Sequence, residues 1–200
     1  MDLINFAYGI IPLNSVMKLK TYHLLECDSQ EQISREALAW ISEHTDLLTN
    51  ATGFWNKIDY KHFILLNPAL SKYCQKLKLI IREVAVLVAN SNDGVPLHID
   101  EAPVVAKINF PVLNTKDTYT EWYDVKNLNQ LPTINNQFDQ PVPDLTNAVT
   151  EKINQVEMTQ PMVFNSSVAH RVVIGPKAEL PRVVISCMFY KEPIDLLKTD

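Results

Sequence analysis

The segment from residue 79 to residue 190 constrains the fold of this chain more than any other feature. Short stretches rich in Val, Ile and aromatic residues follow one another there, separated by turn clusters such as 90–94. Short strands bounded by turns are typical of all-β sandwiches and barrels. The predicted strands are 79–89, 96–100, 104–113, 119–125, 149–158, 162–166, 170–174 and 182–190.

Residues 1–78 carry helical signals instead. Ser29 followed by Gln32 predicts a capping box at the start of a helix, with apolar residues at helical spacing after it. Asn67 before a proline predicts the start of a second helix. The apolar face of that helix would be formed by Ala69, Leu70, Tyr73, Cys74 and Leu77.

These signals predict a single domain over residues 1–200. It is mainly β: a helical N-terminal layer (1–78) supports a core (79–190) of eight strands, which favours a double-sheet jelly roll of the cupin type. An immunoglobulin-like sandwich is the alternative, although it usually has seven or nine strands and no helices before them. The polar segment 126–148 contains three prolines and is predicted to be a long loop insertion.

Composition excludes several classes of function. The chain has 18 Lys+Arg against 23 Asp+Glu, a net charge of −5, which argues against a nucleic-acid or anionic-membrane binder. No apolar run reaches the roughly 18 residues of a membrane span, and the longest, 3–13, follows an acidic residue, so we expect a soluble cytoplasmic protein. The four glycines form neither a dinucleotide-binding motif nor a P-loop. The three cysteines form no CxxC pair and predict reduced thiols.

One short motif could carry chemistry. In His98-Ile-Asp100 the imidazole and the carboxylate face the same way if the segment is a strand, roughly 7 Å apart along the chain. His170 follows a turn and begins another predicted strand. Two histidines and one carboxylate on neighbouring strands form a facial triad, which is diagnostic of non-haem Fe(II) oxygenases. His23 and His44, like His62, are better explained as ordinary surface or core residues.

Arg182 opens the last predicted strand. Alternation places it on one face with Val184, Ser186 and Met188, whereas the opposite face is uniformly apolar and could pack under the helices. A buried arginine needs an anion, and its planar fork suits a carboxylate. The anion is either an acidic side chain of the chain itself or a bound dicarboxylate.

The order His98-x-Asp100, His170, Arg182 resembles the 2-oxoglutarate-dependent Fe(II) oxygenase superfamily over residues 79–190. The chain is most similar to its aspartyl/asparaginyl β-hydroxylase-like and prolyl-hydroxylase-like groups, although those β-hydroxylases lack the Asp of the motif. Lys107 and Asn109 occupy positions comparable to two co-substrate-binding residues of that group.

The resemblance implies a double-stranded β-helix core and an oxygenase site. Fe(II) would be bound by His98, Asp100 and His170, and the far carboxylate of 2-oxoglutarate by Arg182, with Ser186 or Asn109 assisting. The implied reaction consumes O2, releases succinate and CO2, and hydroxylates a C–H bond of an amino acid, a peptide or a small metabolite.

Two other interpretations stay open. A cupin-type metalloenzyme without 2-oxoglutarate would not need Arg182. A non-enzymatic jelly-roll binding module would make the His-x-Asp motif accidental. The substrate of an enzyme is expected to contact 126–148, whereas Trp122 and Tyr123 are better explained by strand packing and Arg171 by a surface role.

Overall fold

The computed structural model describes residues 19–49, 56–100, 104–136, 139 and 141–198, and the apolar segment 3–13 lies outside them. The helices are α1 (Gln30–Ser42), α2 (Asp46–Thr49), α3 (Tyr60–Leu66) and α4 (Pro68–Lys76). The strands are β1 (Tyr22–Leu24), β2 (Asn56–Lys57), β3 (Ile81–Ala89), β4 (Val95–His98), β5 (Ala106–Leu113), β6 (Thr118–Val125), β7 (Thr133–Asn135), β8 (Pro141–Pro143), β9 (Thr150–Glu157), β10 (Met162–Asn165), β11 (Ala169–Ile174) and β12 (Arg182–Phe189). Short 3-10 helices lie at Leu128–Gln130, Leu145–Asn147 and Ile194–Leu197.

The strands form two main antiparallel sheets and one hairpin. The large sheet has the order β1-β10-β5-β12-β3-β2, and the small sheet has the order β4-β11-β6-β9. The prediction of a mainly β fold is confirmed, and each of the eight predicted segments overlaps one strand. The segment 126–148 is not simply a loop, because β7 and β8 pair within it. The N-terminal region also supplies β1 and β2 at the two edges of the large sheet.

The two predicted helix starts differ in outcome. Asn67 caps α4: its side-chain Oδ1 accepts from the Leu70 amide at 3.2 Å, and its Nδ2 donates to the Ile33 carbonyl of α1 at 3.3 Å. Ser29 stands at the N-cap of α1, but its side chain makes no capping hydrogen bond there. The predicted capping box is therefore wrong, since Gln32 instead donates to Glu36 one turn along the helix.

The helices cover one face of the large sheet. The apolar face of β12 (Val183, Ile185, Cys187, Phe189) joins residues such as Ile33 of α1 and Leu70 of α4 in a single buried cluster. Burial of each large apolar side chain contributes roughly 1.5–3 kcal/mol, so this layer anchors β12 firmly. The alternation predicted for β12 is confirmed. None of the helices in the described ranges combines the length and apolar character that a bilayer span requires.

The other face of the large sheet packs against the small sheet. Trp122 of β6 is fully buried against Phe164 of β10 and Val184 of β12, and its indole nitrogen donates to the Asn165 carbonyl at 3.3 Å. This apolar cluster holds the sheets together at one place. Beside it, the polar face of β12 opens into the space between the sheets.

Candidate active site

A cavity of about 660 Å³ lies between the two sheets. Its walls come from β3, β5, β10 and β12 on one side and from β4, β6 and β11 on the other. The chain's predicted site residues all line it: His98, Asp100, Asn109, His170, Arg182 and Ser186. The structure thus gathers in one cavity residues that lie up to 88 positions apart in the sequence.

Strand pairing brings the two histidines together with the carboxylate. His98 lies opposite His170 where β4 pairs with β11, and Asp100 follows β4 by two residues. The Nε2 atom of His98 is 3.6 Å from one Asp100 oxygen, and that of His170 is 4.0 Å from the other. One ligand atom from each residue can be chosen so that all lie within 4.8 Å of one another, as around a single metal ion.

Backbone carbonyls orient both imidazole rings. The Nδ1 atom of His98 donates to the Pro96 carbonyl, and the Nδ1 atom of His170 donates to the Val168 carbonyl, each at 2.8 Å. A carbonyl only accepts, so in the neutral ring the proton sits on Nδ1 and the Nε2 lone pair points away from it. Metal-binding histidines are commonly fixed in this way. Burial, with a smaller contribution from His98, lowers the pKa of His170 to about 3, so this ring is neutral.

Lys107 holds the carboxylate of the triad. Its Nζ donates to the Oδ2 atom of Asp100 at 2.6 Å, and the Asp100 amide donates to the Ser166 carbonyl at 3.2 Å. Burial alone would raise the pKa of Asp100, but the charge of Lys107 and the nearby histidines hold it below its ordinary value. The carboxylate is therefore ionised and can act as a ligand. Lys107 was expected beside the co-substrate, whereas the structure places it on Asp100.

Arg182 is a buried cation whose hydrogen bond goes to a neutral group. Its side chain reaches from β12 to β6, where Nε donates to the Thr118 hydroxyl at 3.1 Å. The residue is only 4% exposed, and no carboxylate forms an ion pair with it within the described ranges. Burial lowers its pKa to about 10, so the guanidinium stays charged at neutral pH. Nothing in the sequence indicated Thr118, because the contact depends on how the two sheets pack.

Two further polar atoms beside this wall lack partners. Ser186 lies directly opposite Asn109 where β12 pairs with β5. The Ser186 hydroxyl and the Asn109 Oδ1 atom are buried, and neither makes a hydrogen bond to the described part of the chain. A buried polar atom without a partner costs about 1–3 kcal/mol, so such atoms are few in a folded chain. The Ser186 hydroxyl, like Arg182, can donate to an anionic group, whereas the Asn109 Oδ1 atom can only accept.

Other residues singled out in the sequence lie on different surfaces. Arg171 faces away from the cavity, where its guanidinium pairs with Glu121 at 2.7 Å and lies over the ring of Tyr123. Trp122 belongs to the core between the sheets. From the predicted insertion, Asn136 and Val142 line the cavity.

No protein-family profile and no curated protein matches the chain. Among solved structures, the chain is similar to AviO1 from Streptomyces viridochromogenes Tue57, with a TM-score of 0.51, 10% identity, and coverage of 89% of this chain and 93% of that one. A second similar structure is SnoN, a non-heme alpha-ketoglutarate-dependent epimerase from nogalamycin biosynthesis, with a TM-score of 0.42, 12% identity, and coverage of 88% and 80%. The likeness to AviO1 is one of fold.

Proposed function

We propose that this protein is a non-haem Fe(II), 2-oxoglutarate-dependent dioxygenase with a double-stranded β-helix core, and that it hydroxylates a C–H bond of a small molecule or peptide. One observation carries the proposal. The same cavity holds a His-Asp-His donor set and, on its other wall, a buried cation together with unsatisfied polar atoms farther along the same strand pair.

The donor set fits Fe(II). Two neutral imidazole nitrogens and one carboxylate occupy one side of an ion and leave three adjacent positions open, the arrangement typical of Fe(II) oxygenases. His98 and His170 would bind through Nε2, and Asp100 through Oδ1, since Lys107 holds its Oδ2 atom. Hydrogen-bonded ligands of this kind keep their orientation before the ion arrives.

The opposite wall fits 2-oxoglutarate. Arg182 would bind the far carboxylate with both arms of its guanidinium, Ser186 would donate its hydroxyl, and Asn109 would donate from its amide nitrogen. Binding would supply an anion for Arg182 and the partner that the buried Ser186 hydroxyl lacks. Iron and 2-oxoglutarate, when bound, supply the activation of O2, and the co-substrate leaves as succinate and CO2. The apolar side chains of Phe164 and Val184 on the same wall would limit the access of water.

Anaerobic titration tests the proposal. Metal-free protein is loaded with Fe(II), and the bound iron is measured. 2-Oxoglutarate is then added while the charge-transfer absorbance of its complex with iron is recorded. We expect one iron per chain and a saturable absorbance band. His98→Ala and His170→Ala should lose both, because two fixed donors do not hold a labile divalent ion. His62→Ala, at an exposed position on α3, is the matched control.

Each alternative gives a different result. Stoichiometric iron without a 2-oxoglutarate band would favour a cupin-type metalloenzyme that uses no co-substrate. The absence of stoichiometric iron would favour a binding module and would refute the proposal. Release of succinate in air, screened against amino acids and peptides, then identifies the substrate.

A further inference from the structure

A bulge in β3 turns a second arginine toward the cavity. In the pairing of β12 with β3, Met188 lies opposite Glu83 and Phe189 lies opposite Ile81, so Arg82 has no partner in the register. The alternation of side chains between the two faces of β3 is interrupted there. Ile81 belongs to the core under the helices, whereas both Arg82 and Glu83 line the cavity. Bulges often redirect a side chain next to a binding site.

Arg82 stands at the end of the cavity where the metal ligands lie. Cys187 is opposite Ile108 of β5, so the next residues, Met188 of β12 and Lys107 of β5, lie side by side in the sheet. Lys107 in turn contacts Asp100 of the triad. Arg82 lies on β3 next to Met188, two strands from β5, so its backbone is roughly 10 Å from that of Lys107. Arg182 is six residues from Met188 along β12, which is roughly 20 Å. The two arginines therefore mark opposite ends of the cavity.

The guanidinium of Arg82 is free of acidic partners in the described part of the chain. Its Nη2 atom lies 3.9 Å from the Met188 sulfur, a weak contact. The neighbouring carboxylate, Glu83, is paired with Lys57 at 2.7 Å. Arg82 itself is exposed, so this end of the cavity presents an uncompensated cation to a molecule that enters from solvent.

We propose that Arg82 binds the primary substrate and that this substrate carries a carboxylate, an inference that rests on the proposed function. A planar guanidinium binds a carboxylate through two parallel hydrogen bonds. The buried Arg182 takes the far carboxylate of the co-substrate at one end, and Ser186 and Asn109 lie between the two arginines along the sheet. Arg82 holds the substrate at the other end, next to the metal ligands. Each carboxylate then has its own arginine, and the substrate lies close to the iron.

The small number of arginines makes a direct test possible. The chain has four (Arg35, Arg82, Arg171, Arg182), so protein labelled with [15N]arginine gives few side-chain Nε–H signals, assigned by single replacements. The probes are the N-acetyl amino acids and the corresponding N-acetyl amino amides, titrated in the presence of 2-oxoglutarate. We expect acids to shift the Arg82 signal with Kd values of about 1 mM or tighter, and the matching amides to bind at least tenfold more weakly.

Variants at the same position sharpen the test. Arg82→Gln should weaken acid binding about tenfold to hundredfold, and Arg82→Lys should recover part of the loss, since an ammonium lacks the fork. Arg35→Gln makes the same charge change on an exposed face of α1 and should have no effect. Equal binding of acids and amides overturns the inference. So does unaltered binding by Arg82→Gln, or the absence of any Arg82 shift at about 10 mM acid.

The failure of this inference differs from the failure of the proposed function. 2-Oxoglutarate added alone should shift the Arg182 signal. If it does so while no acid shifts Arg82, the oxygenase proposal stands and the substrate class is wrong. If acids shift Arg82 but 2-oxoglutarate leaves Arg182 unchanged, the co-substrate site is wrong.

Discussion

Replacing Arg182 with methionine should make the co-substrate-free protein more stable and should remove most of its affinity for 2-oxoglutarate. Burial holds the pKa of Arg182 near 10, against an ordinary value of 12.5, which corresponds to roughly 3 kcal/mol of destabilisation of the folded state. This penalty is present in full at neutral pH, where the guanidinium is charged in both the folded and the unfolded chain; it is relieved only as the pH rises through about 10.

Methionine keeps most of the apolar stem and removes the charge. The variant gives up the hydrogen bond to Thr118, worth about 1 kcal/mol, so we expect a net gain of about 1–2 kcal/mol. For a chain of this size that corresponds to a melting temperature higher by roughly 2–8 °C. Affinity for 2-oxoglutarate should fall about tenfold to hundredfold, because a hydrogen-bonded charge pair is lost.

Urea unfolding in buffer without 2-oxoglutarate measures the first effect, and anaerobic titration of the Fe(II) protein measures the second. Arg82→Met is the control for stability: the side chain is exposed, so its free energy of unfolding should change by less than about 0.5 kcal/mol. A lower unfolding midpoint for Arg182→Met would show that the contacts of Arg182 outweigh the cost of burying its charge and would refute the reasoning. Higher stability with unchanged affinity would remove Arg182 from the co-substrate site.

Three further changes test the scaffold around the site. Asn67→Ala should lower the free energy of unfolding in urea by about 1–3 kcal/mol, because this buried side chain caps α4 and hydrogen-bonds to α1. Ser29→Ala, at an N-cap without a side-chain hydrogen bond, should change it by less than about 0.5 kcal/mol. Gly94→Ala should lower the melting temperature and weaken Fe(II) binding, because the φ of Gly94 is +68° and an added Cβ would collide with the Val172 carbonyl oxygen. An unchanged Tm would contradict the close approach of β11 to the turn before β4. Glu121→Gln should abolish a stability contribution of about 1–3 kcal/mol that is present above about pH 4.5 and lost toward pH 2. Burial would raise the Glu121 pKa, but hydrogen bonds from one hydroxyl and two basic side chains hold it at about 2. The difference in free energy of unfolding between wild type and variant, measured in urea, should therefore be about half as large at about pH 3 as at about pH 5.

Local sequence predicted the long elements well. The alternation in β12 gave both its buried face and its cavity face, and the Asn-Pro pair gave the start of α4. The short strands β1 and β2 were not predicted, because three and two residues carry no periodicity of their own and are held only by pairing with β10 and β3. The hairpin of β7 and β8 was hidden by prolines, which are tolerated in so short an edge pair.

For the candidate site, sequence spacing indicated which residues share a cavity but not what each one contacts. His98, Asp100, His170 and Arg182 were found from motif order and the alternation of strands. The contact of Lys107 with Asp100 was missed, since it depends on how β5 lies relative to the loop after β4. The position of Arg82 was missed because strict alternation along β3 places this side chain on the core face, and only the bulge turns it toward the cavity.

Local unfolding of the strand β4 would take apart the proposed metal site. This strand has four residues, lies at the edge of the small sheet, and pairs with β11 alone among the described strands, yet it provides His98 and leads directly to Asp100. Short edge strands open at lower free energy than central ones. An ion on the triad would bind only while β4 is closed, and at a hundredfold excess over its Kd it would raise the opening free energy by about 2.7 kcal/mol. Amide hydrogen exchange along residues 95–100 would then slow about hundredfold with iron, whereas amides that exchange through openings which leave the triad intact would keep their rates, so the supply of iron would set how ordered one wall of the cavity is.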